Sequence, residues 1–138
     1  MTPVRWFLVL ITVAGLAVDA WVHWSLASAY DPVRAGVSQG QLFRVEAVVA
    51  VISALALLLR PNRWTAAFAA LVAGGGVMIL VLLRYVDVGA LGPFPDMYEP
   101  YWYLKKAWSA VAQGVATVTA LVLVVLGPAR PGDSSTTR

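Results

Sequence analysis

The sequence predicts an all-α fold: a four-transmembrane-helix bundle running up-down-up-down, N-in/C-in. Three observations carry this. Of 138 residues, 60% are hydrophobic and 12% charged, far from the about 45–50% apolar and about 25% charged of soluble domains. Four apolar stretches each meet the length of about 20 residues that a helical crossing needs. The segments between them carry helix caps, prolines and glycines, the punctuation of short connections. Residues 1–129 are expected to form one transmembrane domain, with helices at about 6–29, 42–59, 64–86 and 101–127. Residues 130–138 read as a disordered polar tail, with too little apolar surface to offset the entropy of ordering.

The first segment, Trp6 to Ala29, is interrupted only by Asp19 and His23. Arg5 and the Ala27-Ser28-Ala29 triplet imitate a secretory leader with its cleavage site, but a leader's apolar run is shorter and uncharged, so the segment reads as a span. The second, Leu42 to Leu59, carries Arg44 and Glu46 in its first turn, and Ser38 with Gln41 forms an S-x-x-Q capping box ahead of it. Arg60-Pro61-Asn62-Arg63 reads as a stop, a turn and an Asn cap, making segments two and three an antiparallel hairpin. The third, Trp64 to Leu83, is uninterrupted and closed by Arg84 and Asp87. Gly89, Gly92, Pro93 and Pro95 end it. The fourth, Ala107 to Ala129, carries no charge, and Pro100 suits its first turn, where a missing N–H costs nothing.

Orientation is not settled by counting cations. Arg5, Arg60, Arg63, Arg130 and Arg138 fall on one side, and Arg34, Arg44, Arg84, Lys105 and Lys106 on the other. Most of the acids accompany the second group and can neutralise it before insertion, which favours inner termini and a multi-pass protein of the cell inner (plasma) membrane. The net charge of +3 does not indicate nucleic acid, because the basic residues are scattered singly rather than gathered on one face. The partners expected are the lipid bilayer and a larger membrane protein complex or a homo-oligomer. The absence of cysteine excludes disulfides, thiolate ligands, Fe–S clusters and thiol nucleophiles. No cofactor is expected, since a haem would find one histidine and at most Met78 or Met97 as a second ligand.

Placing the charges by depth is the informative step. At 1.5 Å per residue, Asp19 lies roughly 13 Å below the outer end of helix one, and His23 stands one turn above it on the same face. Glu46 and Arg84 each lie about one turn in from the outer side, and Gln113 about two turns in. A carboxylate at mid-membrane costs about 2.5–3.5 kcal/mol, so these groups should face the bundle interior and satisfy one another. Asp19, His23, Glu46, Arg84 and Gln113 are therefore the ligand- or proton-binding candidates, with Asp19, His23 and Glu46 as the alternative metal set. The same groups can instead lock the helix register.

The loop from Gly92 to Tyr103 holds five aromatics between prolines, with Asp96 and Glu99. It reads as an aromatic belt or as a lid over the polar core, with Asp96, Tyr98, Glu99 and Trp102 as its candidates. Lys105 and Lys106, placed where the helix dipole disfavours cations, are expected to pair with Glu99 and Asp96 or to reach lipid phosphates. Gly74-Gly75-Gly76 permits close helix approach or serves as a hinge.

His23, Tyr30-Asp31, the stretch Ser38-x-Gly40-Gln41-Leu42-Phe43-Arg44-x-Glu46 and the Gly- and aromatic-rich loop resemble uncharacterised small four-helix integral membrane proteins of GC-rich bacteria, loosely DoxX-like. The resemblance implies a four-helix fold and transfers no activity. The first functional expectation is an accessory or partner-binding subunit of a membrane complex. The alternative is a small proton-coupled transporter or lipophilic-ligand binder using Asp19, His23 and Glu46. An enzyme or redox site lacks a supporting nucleophile or cofactor motif.

Overall fold

A computed structural model describes residues 1–127; the expected tail at 130–138 lies outside the described residues. The chain forms α1 (Pro3–Tyr30), α2 (Gln39–Leu59), α3 (Arg63–Tyr85) and α4 (Leu104–Leu126), with no β-strand among the described residues. All four helices are long and apolar enough to cross a membrane.

Local chemistry sets the helix limits. Thr2 accepts a hydrogen bond from the Arg5 N–H and Pro3 opens the first turn, so α1 starts three residues earlier than expected. The Ser38 hydroxyl accepts from the Gln41 N–H at 2.9 Å while the Gln41 side chain accepts from the Ser38 N–H at 2.8 Å, closing the capping box and starting α2 at Gln39. Asn62 Oδ1 caps α3 by accepting from Trp64 and Thr65.

The start of α4 corrects the expectation of a helix from 101 with Pro100 in its first turn. Tyr103 is the N-cap, and residues 100–102 stay outside the helix. The cause is a set of competing backbone bonds: the Glu99 N–H donates to the Leu83 carbonyl at 3.1 Å, and Lys106 Nζ donates to the Glu99 and Tyr101 carbonyls at 3.0 and 3.1 Å. At the other end, Gly127 takes φ +64°, and Arg5 donates to the Leu126 and Gly127 carbonyls. That contact sets a cation against the negative end of the α4 dipole.

The interior is built from small residues. Ala47, Ala50, Ala54, Ala66, Ala69, Ala73, Ala116 and Ala120 pack with Val9, Leu16, Leu57 and Leu123, which lets backbones approach closely. Gly15 marks a close approach of α1 to α4: a Cβ there would stand 2.7 Å from the Ala112 carbonyl oxygen and 2.9 Å from the Ala116 Cβ. Of the glycine triplet of α3, Gly76 serves the same end, against Gln113 and Glu46.

Polarity is inverted relative to a soluble protein. Large apolar side chains such as Phe7, Leu10, Ile52, Leu71, Val118 and Val125 point outward, while Thr12, Asp19, Ser53, Ser109 and Gln113 are buried. Only a hydrocarbon surround makes that distribution favourable. Helix α1 packs closely on α2 and α4, and α3 on α4, whereas α2 and α3 touch more sparsely.

Candidate functional site

That sparse contact is localised. A cavity of about 360 Å³ is lined by the C-terminal halves of α1 and α3, the N-terminal halves of α2 and α4, and the loop before α4. Its α2 and α3 wall residues, such as Phe43 and Glu46 against Leu80 and Leu83, lie at the ends of those helices away from their turn at 60–63. The helices join at the turn and leave a cleft beyond it. Val45 and Ile79 line the cavity and are also more than half exposed, so the cleft has an apolar rim open to the helix exterior.

Four of the five expected intramembrane groups meet at the cavity floor. Asp19 is fully buried, and its Oδ1 lies 2.7 Å from His23 Nδ1 one turn up α1. The Gln113 amide of α4 donates to the same Oδ1 and, at 3.0 Å, to Ser109 Oγ. Glu46 of α2 completes the cluster, with one ligand atom from each of Asp19, His23 and Glu46 lying within 4.8 Å of the others. The imidazole is held edge-on against Phe43, ring centroids 4.9 Å apart. His23 and Glu46 face the cavity directly.

The cluster is rich in acceptors and short of donors. Asp19 Oδ2, Glu46 Oε1 and Gln113 Oε1 are buried with no hydrogen-bond partner among the described residues. Buried polar atoms are nearly always paired, so three unpaired oxygens in one place mark a position where a ligand can be accommodated. The Gly76 backbone borders it: a Cβ there would stand 2.9 Å from Gln113 Oε1 and 3.2 Å from Glu46 Oε1.

Arg84 does not join the cluster. Its guanidinium stacks over the rings of Tyr85 and Trp102, 4.7 and 5.7 Å from their centroids, and pairs with no carboxylate among the described residues. It sits in the last turn of α3, and the aromatic faces hold its charge by cation–π attraction. The expectation that it would join the other interior groups is corrected accordingly.

The loop covers the cavity through residues other than most of those expected. Phe94, Met97 and Glu99 line it, while Asp96 turns back to accept from the Tyr98 N–H and Tyr98 and Trp102 remain exposed. Glu99 is the anchor: Oε1 accepts from Lys106 Nζ at 2.8 Å and Oε2 from the Tyr30 hydroxyl at 2.6 Å. With its proton on Glu99, the Tyr30 oxygen accepts from the Tyr103 hydroxyl at 2.8 Å. Burial pushes the Tyr103 phenol above its usual range. Lys105 turns away from both acids and donates to Ser25.

Just beyond α1, Arg44 donates through both terminal nitrogens to the two Asp31 oxygens, each at 2.8 Å. The guanidinium holds the Asp31 carboxyl below the usual carboxylate range. This clasp ties the end of α1 to the start of α2 beside the cavity.

Sequence reasoning paired Lys106 with Glu99 but missed Tyr30, Tyr103 and Ser109 as parts of the site. Lys106, Ser109 and Gln113 share one face of α4 by their spacing, a signal that was available; the tyrosine network depends on the path of the loop. Comparison with protein-family models, with curated proteins and with solved structures returns no match for this chain.

Proposed function

We propose that this protein is a membrane-embedded binder of a lipophilic molecule, which enters sideways from the bilayer through the cleft between α2 and α3. The observation that supports the reading is the cavity itself: apolar walls, an exposed apolar rim at Val45 and Ile79, and a polar floor at His23 and Glu46. An apolar enclosure with a few convergent polar groups is the usual form of a small-molecule site. The unpaired oxygens at the floor select a ligand with a hydrogen-bond donor or cationic head and an apolar body.

All four helices of the single chain contribute to this cavity, which favours ligand binding over a role as an accessory subunit of a larger complex. In the same reading the cavity end faces the outer side of the plasma membrane, with both termini inside. The test is mass spectrometry of the protein released from native membrane under non-denaturing conditions. The wild type is expected to carry a discrete small amphiphile at one per chain, and Leu80→Trp, which fills the cavity, to lose it. A wild type and a Leu80→Trp variant carrying the same adducts would overturn the proposal.

A further inference from the structure

We infer that the cavity floor is a binding site for a first-row divalent metal cation, held by Asp19, Glu46, Gln113 and His23. The inference gives the metal the same unpaired oxygens that would otherwise meet the lipophile's polar head, and it rests on four features of the floor.

The first is the donor set. Asp19 Oδ2, Glu46 Oε1 and Gln113 Oε1 are all acceptors, all buried and all without a partner among the described residues. They cannot satisfy one another, since none carries a proton to donate when the carboxyls are ionised. A cation satisfies them together.

The second is convergence. One ligand atom from each of Asp19, His23 and Glu46 already lies within 4.8 Å of the others, and the bare Gly76 backbone leaves room for Gln113 Oε1 and Glu46 Oε1 to come together. Metal–ligand bonds of about 2.0–2.2 Å place neighbouring ligand atoms roughly 3–3.5 Å apart, so side-chain movements of about an ångström complete the shell.

The third is charge. Two carboxylates face each other here, and the other nearby cations are engaged elsewhere: Arg84 on Tyr85 and Trp102, Lys106 on Glu99 and Tyr101. A dication against two carboxylates and a neutral imidazole makes the site neutral, which low-dielectric surroundings demand.

The fourth is ligand type. Oxygen donors with one imidazole and no thiolate suit zinc, manganese or ferrous iron over soft copper(I), and the imidazole separates the site from the all-oxygen cages of calcium and magnesium. His23 and Glu46 line the cavity, which gives the ion an entry route and leaves a coordination position open toward the space above.

The test is equilibrium dialysis of the tag-free full chain in detergent against Zn²⁺, Mn²⁺ and Co²⁺, with metal analysis, and visible spectroscopy of the Co²⁺ form. We expect one saturable equivalent, ligand-field absorption from bound Co²⁺, and at least tenfold weaker binding in both Glu46→Gln and His23→Gln. Asp96→Asn, an exposed loop carboxylate, should bind as the wild type does. Far-ultraviolet circular dichroism checks that each variant keeps its helices; the wild-type stoichiometry and Co²⁺ spectrum decide the matter even if a variant does not fold. The inference is overturned by absence of saturable binding, as when a shared proton occupies the floor. Unchanged affinity in folded Glu46→Gln and His23→Gln overturns it too, as does saturation by Ca²⁺ or Na⁺ in preference to all three probes.

Discussion

The two ends of the bundle are built from the same four helices and serve different purposes. At the end holding the 60–63 turn, Val9, Leu57, Ala66 and Leu123 pack together and border a smaller cavity of about 260 Å³, lined also by Arg5, Trp6 and Asn62 and by no carboxylate. At the other end the same helices part around a cavity whose floor is ionisable and whose ceiling is a proline-bracketed loop. Small residues hold the helices together along the first region, and α2 and α3 then separate along the second. The packed middle of the bundle, around Leu16, Ala50, Ala69, Ala116 and Ala120, supplies the stability that lets the cavity floor keep unpaired polar atoms.

The largest expected effect probes that contrast directly. Leu57, 1% exposed, sits in the core at the end holding the turn, and Leu57→Ala should cost about 2–5 kcal/mol through lost contacts and the enlarged cavity. Ile79→Ala, at the exposed rim of the cleft, should cost about 0.5 kcal/mol or less. Denaturant unfolding in detergent measures both, and equal losses would remove the distinction between the ends.

A smaller effect separates the two buried acids. Asp19 accepts from Gln113 and pairs with His23, so Asp19→Asn should lose about 1–3 kcal/mol. The Glu46 oxygen that is buried lacks a partner, so Glu46→Gln should leave the thermal midpoint unchanged or raise it. A Glu46→Gln variant as unstable as Asp19→Asn would make Glu46 a structural element of the core.

Much of the helical framework was legible in the sequence because its determinants are local. The Ser38 and Asn62 caps and the length of each apolar run depend on residues a few positions apart, and the structure places helices on all four runs. The Asp19–His23 pair was legible for the same reason, being one turn apart on one helix. Depth along a helix also found Glu46 and Gln113. It failed for Arg84, because depth gives height and not the direction a long side chain takes, and Arg84 turns to Tyr85 and Trp102. The start of α4 and the Tyr30–Glu99–Tyr103 network were illegible because both depend on where the loop returns to α1 and α3.

The smallest effect concerns the clasp at the cavity's edge. The lowered Asp31 pKa means that its pairing with Arg44 stabilises the fold above the unfolded carboxyl pKa of about 3.9. That contribution is lost as pH falls through the lower folded value. Asp31→Asn should therefore lower the melting temperature slightly near neutral pH, with the two curves converging as the pH is taken well below 4. A constant difference across that range would contradict the ion pair as the cause.

The most direct measurement compares the cavity with the packed core in a bilayer. The chain has no cysteine, so Leu26→Cys in the cavity wall and Leu16→Cys in the packed core, which lines neither cavity, can each be the sole thiol. Reaction with a membrane-permeant maleimide should be much faster at position 26 than at position 16. Addition of the co-purified amphiphile should slow it at position 26 alone. Equal rates at the two positions, or no protection at position 26, would contradict an accessible binding cavity beside a packed bundle core.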